Sequence, residues 1–184
     1  METIFWILGS IAVLLVVVTI YYINRIVILS NRINNSWAQI DVQLKKRADL
    51  VPNLVEAVKG YMKHEKKVLT EVTNARTKLM GAQTPKSKAK AGNQLAGALK
   101  NLFAVSENYP QLRASENFQM LQEELSGIES KIAYARQFYN DSVLTYNNLT
   151  TTIPGVFFAS MLGKKEKPYL QIEKAERKNV KVEF

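Results

Sequence analysis

Apolar residues fill almost every position from 4 to 23, and no charged side chain occurs between Thr3 and Asn24. Twenty residues rising about 1.5 Å each make a rod of about 30 Å, the thickness of a bilayer's hydrocarbon core. The pattern predicts a transmembrane anchor over 1–24. A cleaved signal peptide would need a basic leader, a shorter apolar core and a small-x-small site. Here only Met1, Glu2 and Thr3 precede the run, and Tyr21-Tyr22-Ile23-Asn24-Arg25 follows it. A buried core helix is the third reading, but so long an apolar run is rare in a domain this small. Trp6 at one end and Tyr21 and Tyr22 at the other suit the two interfacial aromatic belts.

Past the anchor the apolar positions open out to steps of three and four. Ile26, Leu29, Ile33, Trp37, Ile40 and Leu44 form one helical stripe. A stalk helix over 25–48, continuous with the anchor, is expected, with Asn34, Asn35 and Ser36 as a candidate bend. Asp49-Leu50-Val51-Pro52 has the form of a helix start, Asp49 capping and Pro52 in the first turn. The alternative is a continuous helix kinked near Ala48. Leu54, Val55, Val58, Tyr61, Met62, Val68, Leu69, Val72 and Leu79 extend the stripe to an end near Gly81. Residues 81–92 (GAQTPKSKAKAG) read as a loop. A shorter helix carries Leu95, Leu99, Leu102 and Phe103 on one face and stops at Asn108-Tyr109-Pro110.

The clearest pattern is last. Phe118, Leu121, Leu125, Ile128, Ile132, Ala135, Tyr139, Ser142, Tyr146 and Leu149 alternate steps of three and four, a heptad seam. With Ser115 as cap and Pro154 as stop, it predicts a helix over 116–153, on the order of 55 Å long. Such a seam must be covered, and the 49–79 helix is its natural partner. The expected fold is all-α: an N-terminal transmembrane helix continuing into an extended antiparallel four-helix bundle, with the bundle proper over 49–155. Only 179–184 (NVKVEF) alternates like a strand, and it is too short to build a sheet. The remaining region, 156–184, joins an apolar patch to a basic tail. The patch (VFFASML, 156–162) is too short to span a bilayer. It either dips into the interface, bringing Phe157 and Phe158 to lipid, or packs on the bundle end.

Charge adds a direction. The chain carries +9 overall; all 25 Lys and Arg lie after the anchor against 15 acidic residues, so that part carries +10. Attraction to an anionic leaflet is on the order of 1 kcal/mol per Lys or Arg near the surface. A basic balance also suits nucleic acid, but the charges are interleaved with Glu and no aromatic–basic motif appears, so nucleic acid is not expected. Arg25, Arg32, Lys45, Lys46 and Arg47 follow the span and no Lys or Arg precedes it. The positive-inside rule then puts the N-terminus outside and the domain in the cytoplasm, as a single-pass membrane protein. The absence of cysteine excludes disulfides, cysteine–zinc sites and prenylation, and residue 2 is not the glycine that myristoylation needs.

Catalytic sets are missing. His64 is the single histidine; positions 61 and 68 are Tyr and Val, so neither helical metal motif exists. Glycine-rich phosphate loops and the nucleophile-elbow motif are absent too. Glu123 and Glu124 are neighbours on different helix faces, and Glu56, Glu71 and Glu129 read as solvated partners of nearby Lys and Arg. No catalytic residue, cofactor or metal is expected. What stands out is Tyr139-Asn140 and Tyr146-Asn147, one heptad apart. The tyrosines lie on the seam and need hydrogen-bond partners once buried, which Asn140 and Asn147 can offer on a facing helix. The simpler reading is polar pairing that fixes helix register. The sharper one is a recognition surface, with Ala135 and Ser142 letting a neighbouring helix approach. Trp37 reads as a core anchor at the base of the stalk.

Several ordered motifs resemble the LemA family. They are Asn35-Ser36-Trp37-Ala38-Gln39-Ile40-Asp41-Val42-Gln43-Leu44-Lys45-Lys46-Arg47, Asp49-Leu50-Val51-Pro52-Asn53-Leu54-Val55, Val58-Lys59-Gly60-Tyr61 and His64-Glu65. Later come Ala104-Val105-Ser106-Glu107-Asn108-Tyr109-Pro110, Asn117-Phe118, Leu121-Gln122-Glu123-Glu124-Leu125, Ile132-Ala133-Tyr134-Ala135-Arg136 and the Tyr-Asn pair. The resemblance covers nearly the whole chain; the basic tail after Gly163 departs most. It implies an N-terminal anchor and an extended four-helix bundle, mostly in bacterial inner membranes, with no known enzymatic activity. A branch in magnetotactic bacteria is linked to forming internal membrane compartments. The functional expectation is a non-enzymatic, membrane-anchored helical scaffold that forms homo-oligomers or recruits protein partners, with Gly9 and Ser10 allowing close approach of anchors. The alternative is a membrane-remodelling protein that binds anionic lipid directly.

Overall fold

The computed structural model describes residues 1–170, and all regular structure among them is helical. In chain order the helices are α1 (Glu2–Lys59), α2 (Lys66–Gly81), α3 (Pro85–Ser106), α4 (Pro110–Arg113), α5 (Glu116–Thr151) and α6 (Gly155–Met161). The alternating 179–184 stretch lies outside the described residues. The chain divides into two compact units: residues 37–137, and residues 1–36 with 138–184. The two long helices α1 and α5 each give a stretch to both.

No helix starts at Asp49. α1 runs on through Pro52 to Lys59. Proline has no N–H, so Pro52 leaves the carbonyl of Ala48, four residues back, without its helical donor. Ala48 is fully buried, and an unpaired polar atom there would cost about 1–3 kcal/mol. Arg76 of α2 supplies the donor: its Nε lies 2.9 Å from the Ala48 oxygen. The neighbouring helix thus keeps α1 continuous where its own sequence would break it.

The expected 49–79 helix is two helices, parted at 60–65. Gly60 is a poor helix former, and the apolar stripe has a gap between Met62 and Val68 at this place. Met62 remains fully buried in the turn, while Lys63 and His64 face solvent. Conversely, most of the expected 81–92 loop is helix. Thr84 and Ser87 form a reciprocal capping box with Pro85 in the first turn, and the Lys- and Ala-rich sequence after it propagates helix well.

The 37–137 unit packs α2 against α3 and buries one core. Ile40, Leu44, Val51, Leu54 and Val58 come from α1, Val72 and Leu79 from α2, Leu95, Leu99 and Leu102 from α3, and Phe118, Leu125, Ile128 and Ile132 from α5. Arg47, expected among the flanking cations, is instead buried in this core at 1% exposure. It pairs with Glu129 of α5 and donates from Nη2 to the Gly92 carbonyl at 2.7 Å. Glu129 is therefore no member of a local solvated pair; it neutralises a cation 82 positions earlier. Burial lowers the Arg47 pKa from its usual value, which Glu129 opposes and the nearby Arg136 reinforces. Arg136 in turn donates to Asn93 beside Gly92. One buried guanidinium thus ties α1, α3 and α5 together.

The Pro52–Arg76 arrangement is testable by a double-mutant cycle. Arg76→Met should destabilise the full-length protein by about 1–2 kcal/mol through the orphaned carbonyl. In a Pro52→Ala background, where the N–H returns, the same change should cost clearly less. Equal costs in both backgrounds, measured by chemical denaturation in detergent, would rule this account out.

Candidate functional site

In the unit of residues 1–36 and 138–184, α1 changes surroundings along its length. The most apolar eighteen-residue window of α1 has none of its residues buried. Trp6 is 80% exposed and Tyr21 59%. From Ile26 onward one face is covered: Ile26, Leu29, Ile33 and Ser36 are buried. At the top of this stripe the buried position is Ser36, while Trp37 one residue on is half-buried in the other unit. The Ser36 and Ser142 hydroxyls lie 3.3 Å apart, and each also donates to the carbonyl four residues back, at 2.7 and 2.8 Å. Two small side chains thus let α1 and α5 approach closely with no polar atom stranded. Four residues before each serine, the Arg32 guanidinium lies 4.9 Å over the Phe138 ring.

The α5 seam drifts from strict heptads as a straight helix must. Tyr139, Ser142, Val143, Tyr146, Asn147 and Thr150 are buried, while Ala135 and Leu149 are only half-buried. The chain then turns into α6, whose Gly155 sits on the end of α5. A Cβ on Gly155 would fall 1.9 Å from the Leu149 carbonyl oxygen, so no larger residue fits. Phe158 of α6 stacks on Tyr22 with ring centroids 5.2 Å apart, and Tyr22 meets Tyr21 edge-on. α6 closes on Gly163 at φ 61°, with Gly163 N–H bonded to the Ser160 carbonyl and Lys164 N–H to that of Ala159. This glycine-terminated cap sends the chain back along α5.

The returning segment shows what Asn140 and Asn147 do. Asn147 donates to the Lys167 carbonyl and accepts from the Lys167 N–H, both at 2.9 Å. Asn140 makes the same pair with Leu170, at 3.1 and 2.9 Å. Each amide pairs with one backbone residue as a neighbouring strand would. The spacing is self-consistent. Seven helical residues rise about 10.5 Å, and three residues of polyproline II, one full turn of it, rise about 9.3 Å. Pro168 lies between the two rungs and its carbonyl accepts from the Tyr139 hydroxyl at 3.4 Å.

The asparagine amides therefore hold the strap over 164–170, and the tyrosine hydroxyls are not their partners. The Tyr146 hydroxyl is buried with no partner. Burial raises the pKa of both Tyr139 and Tyr146 above 10.0. A raised folded value means their neutral forms support the fold below pH 10 and that this support is lost as pH rises beyond it. Among the described residues no three His, Cys, Asp or Glu side chains gather as a metal site requires, and His64 is exposed in the 60–65 turn. The strap contacts were not visible to periodicity, since they join side chains to backbone. The sole sequence signal was the repeat of Asn at heptad spacing.

A family model, LemA family, matches residues 36–184. The match begins after the apolar run and includes the basic tail. Magnetosome protein MamQ 2 of Paramagnetospirillum magneticum is 24% identical over 174 residues, covering 80% of this chain and 64% of that protein. Protein LemA of Metamycoplasma hominis is 26% identical over 126 residues, covering 68% of this chain and 58% of that one. MamQ of Magnetospirillum gryphiswaldense is 30% identical over 79 residues, or 43% and 29%. The chain thus spans less than two thirds of the length of these curated relatives.

Two substitutions separate the roles on α5. Tyr146→Phe removes a buried hydroxyl that bonds to nothing, and should leave stability unchanged or raise it by up to about 1 kcal/mol. Asn147→Ala removes two backbone bonds and should cost about 1–2 kcal/mol. It should also speed tryptic cleavage at Lys164 and Lys165 while helix content, read by circular dichroism, is retained.

Proposed function

The chain belongs to the LemA family, and from that membership and the form of α1 we propose a membrane-anchored helical scaffold without enzymatic activity. The observation that carries this reading is the change along one helix. An apolar stretch with none of its side chains covered passes without interruption into a face that is buried from Ile26 onward. An uncovered apolar surface of that length is unstable in water and stable in hydrocarbon. Arg25 and Arg32 follow the span, and all of the chain's basic residues lie on that side, which supports an N-terminus outside and a cytoplasmic domain. Similarity to magnetosome proteins MamQ supports a membrane-associated protein, and the scaffold reading adds that copies of this chain or other proteins gather at the membrane surface.

The test has two parts. Carbonate washing of membranes should leave the protein in the pellet, and cysteine introduced at Glu2 should react with an impermeant maleimide on intact spheroplasts while cysteine at Gln39 reacts only after lysis. Cross-linking in intact membranes and gel filtration in detergent should both give species larger than one chain. A monomer in both would sink the self-assembly half of the proposal and leave the anchoring half standing.

A further inference from the structure

α6 presents two unlike faces. Gly155 and Ala159 are buried, and Phe158 is half-buried against Tyr22. On the outside, Phe157 and Met161, one helical turn apart, are 66% and 65% exposed, and Ile153 just before the helix is 79% exposed. Three large apolar side chains on so short an element are poorly placed in water. Exposed Lys164 and Lys165 come directly after them.

The neighbouring contacts say what covers this face. Tyr22 lies at the C-terminal end of the uncharged apolar run, the level at which tyrosine rings sit between hydrocarbon and headgroups. Phe158 stacks on Tyr22 nearly parallel, at 11°, so α6 is held at the same depth. Phe157 and Met161 therefore continue the uncovered apolar surface of α1 sideways from its inner end. Lys164 and Lys165, exposed and close behind in the chain, carry the charge that anionic lipid phosphates attract. The capping glycine and the asparagine rungs then carry the chain away along α5.

We propose that α6 is a second membrane contact, a short interfacial foot that inserts Ile153, Phe157 and Met161 at the headgroup–acyl boundary of an anionic leaflet beside the span. The proposal rests on the membrane-anchored reading of α1 and adds to it a lipid-binding element outside the span. Such a foot adds a further interfacial anchor to those that set the rotation and tilt of α1.

The absence of cysteine makes the test clean. Full-length chains carrying Phe157→Cys, Met161→Cys or Leu14→Cys are labelled with an environment-sensitive fluorophore. They are reconstituted in vesicles of phosphatidylcholine and phosphatidylglycerol, with spin-labelled lipids as quenchers at shallow or deep positions. The expected result is blue-shifted emission at 157 and 161, lost more to the shallow quencher, and at 14 lost more to the deep one. Water-like, unquenched emission at 157 and 161 with quenching at 14 overturns the foot and leaves the anchor intact. Blue-shifted but unquenched emission at 157 and 161 means that protein, such as a second copy, covers the face, which also overturns it. No quenching at any of the three sites overturns the anchored reading itself.

Discussion

The continuity of α1 is the constraint on which the other parts depend. A single hydrogen-bonded helix has to be uncovered along its first stretch and packed along its last, with no loop in which to adjust. Its register is inherited by every residue that follows, so Leu54 and Val58, beyond Pro52, reach the core of the 37–137 unit only because the helix does not break before them. Pro52 is the place where it would break, and the Arg76 side chain prevents that by replacing the one donor the proline lacks. Beyond Lys59 the chain can turn, because Gly60 gives up helix at little cost and Met62 closes the end of the core.

Polar atoms in the interior act as locating points and not as a source of gross stability. Arg47 joins three helices through one cation, and its charge is balanced by a carboxylate at the rim. A buried ion pair of this kind contributes little net energy compared with an apolar substitute, but it tolerates few alternative registers. The serine pair at Ser36 and Ser142 does the same work without charge, allowing close contact where larger side chains would hold the helices apart. The unpaired Tyr146 hydroxyl shows the limit of this design: its ring is wanted by the core and its oxygen is not.

Much of this was legible in the sequence, for identifiable reasons. The apolar run and the α5 seam are repeated signals over many turns, and both long helices follow from them. The break after Lys59 was written as the gap between Met62 and Val68, yet the stronger motif at Asp49–Pro52 suggested a start there. That motif misleads because proline's effect is decided by whether a donor from elsewhere reaches the freed carbonyl, and Arg76 is 28 positions from it. Arg47 resembled one more flanking cation, since burial of a charge depends on a partner in α5 that no local pattern reveals. Residues 81–92 looked like a linker by composition, although Thr84 and Ser87 carried the capping signal within it. For the candidate site, the Asn140–Asn147 repeat was visible and its role was not, because its partners are backbone groups that any residue type could provide.

That last point has a consequence for how such chains change over generations. A side-chain amide that pairs with backbone N–H and C=O places almost no demand on the side chain at the paired position, excepting proline, which lacks the N–H. The strap's placement is encoded by the capping Gly163 and two asparagines of α5, and little by the strap's own side chains. Its own letters are free to drift while its path stays fixed. Divergence in this segment among relatives is therefore no measure of looseness, and a search for constraint should look to the helix that carries the rungs.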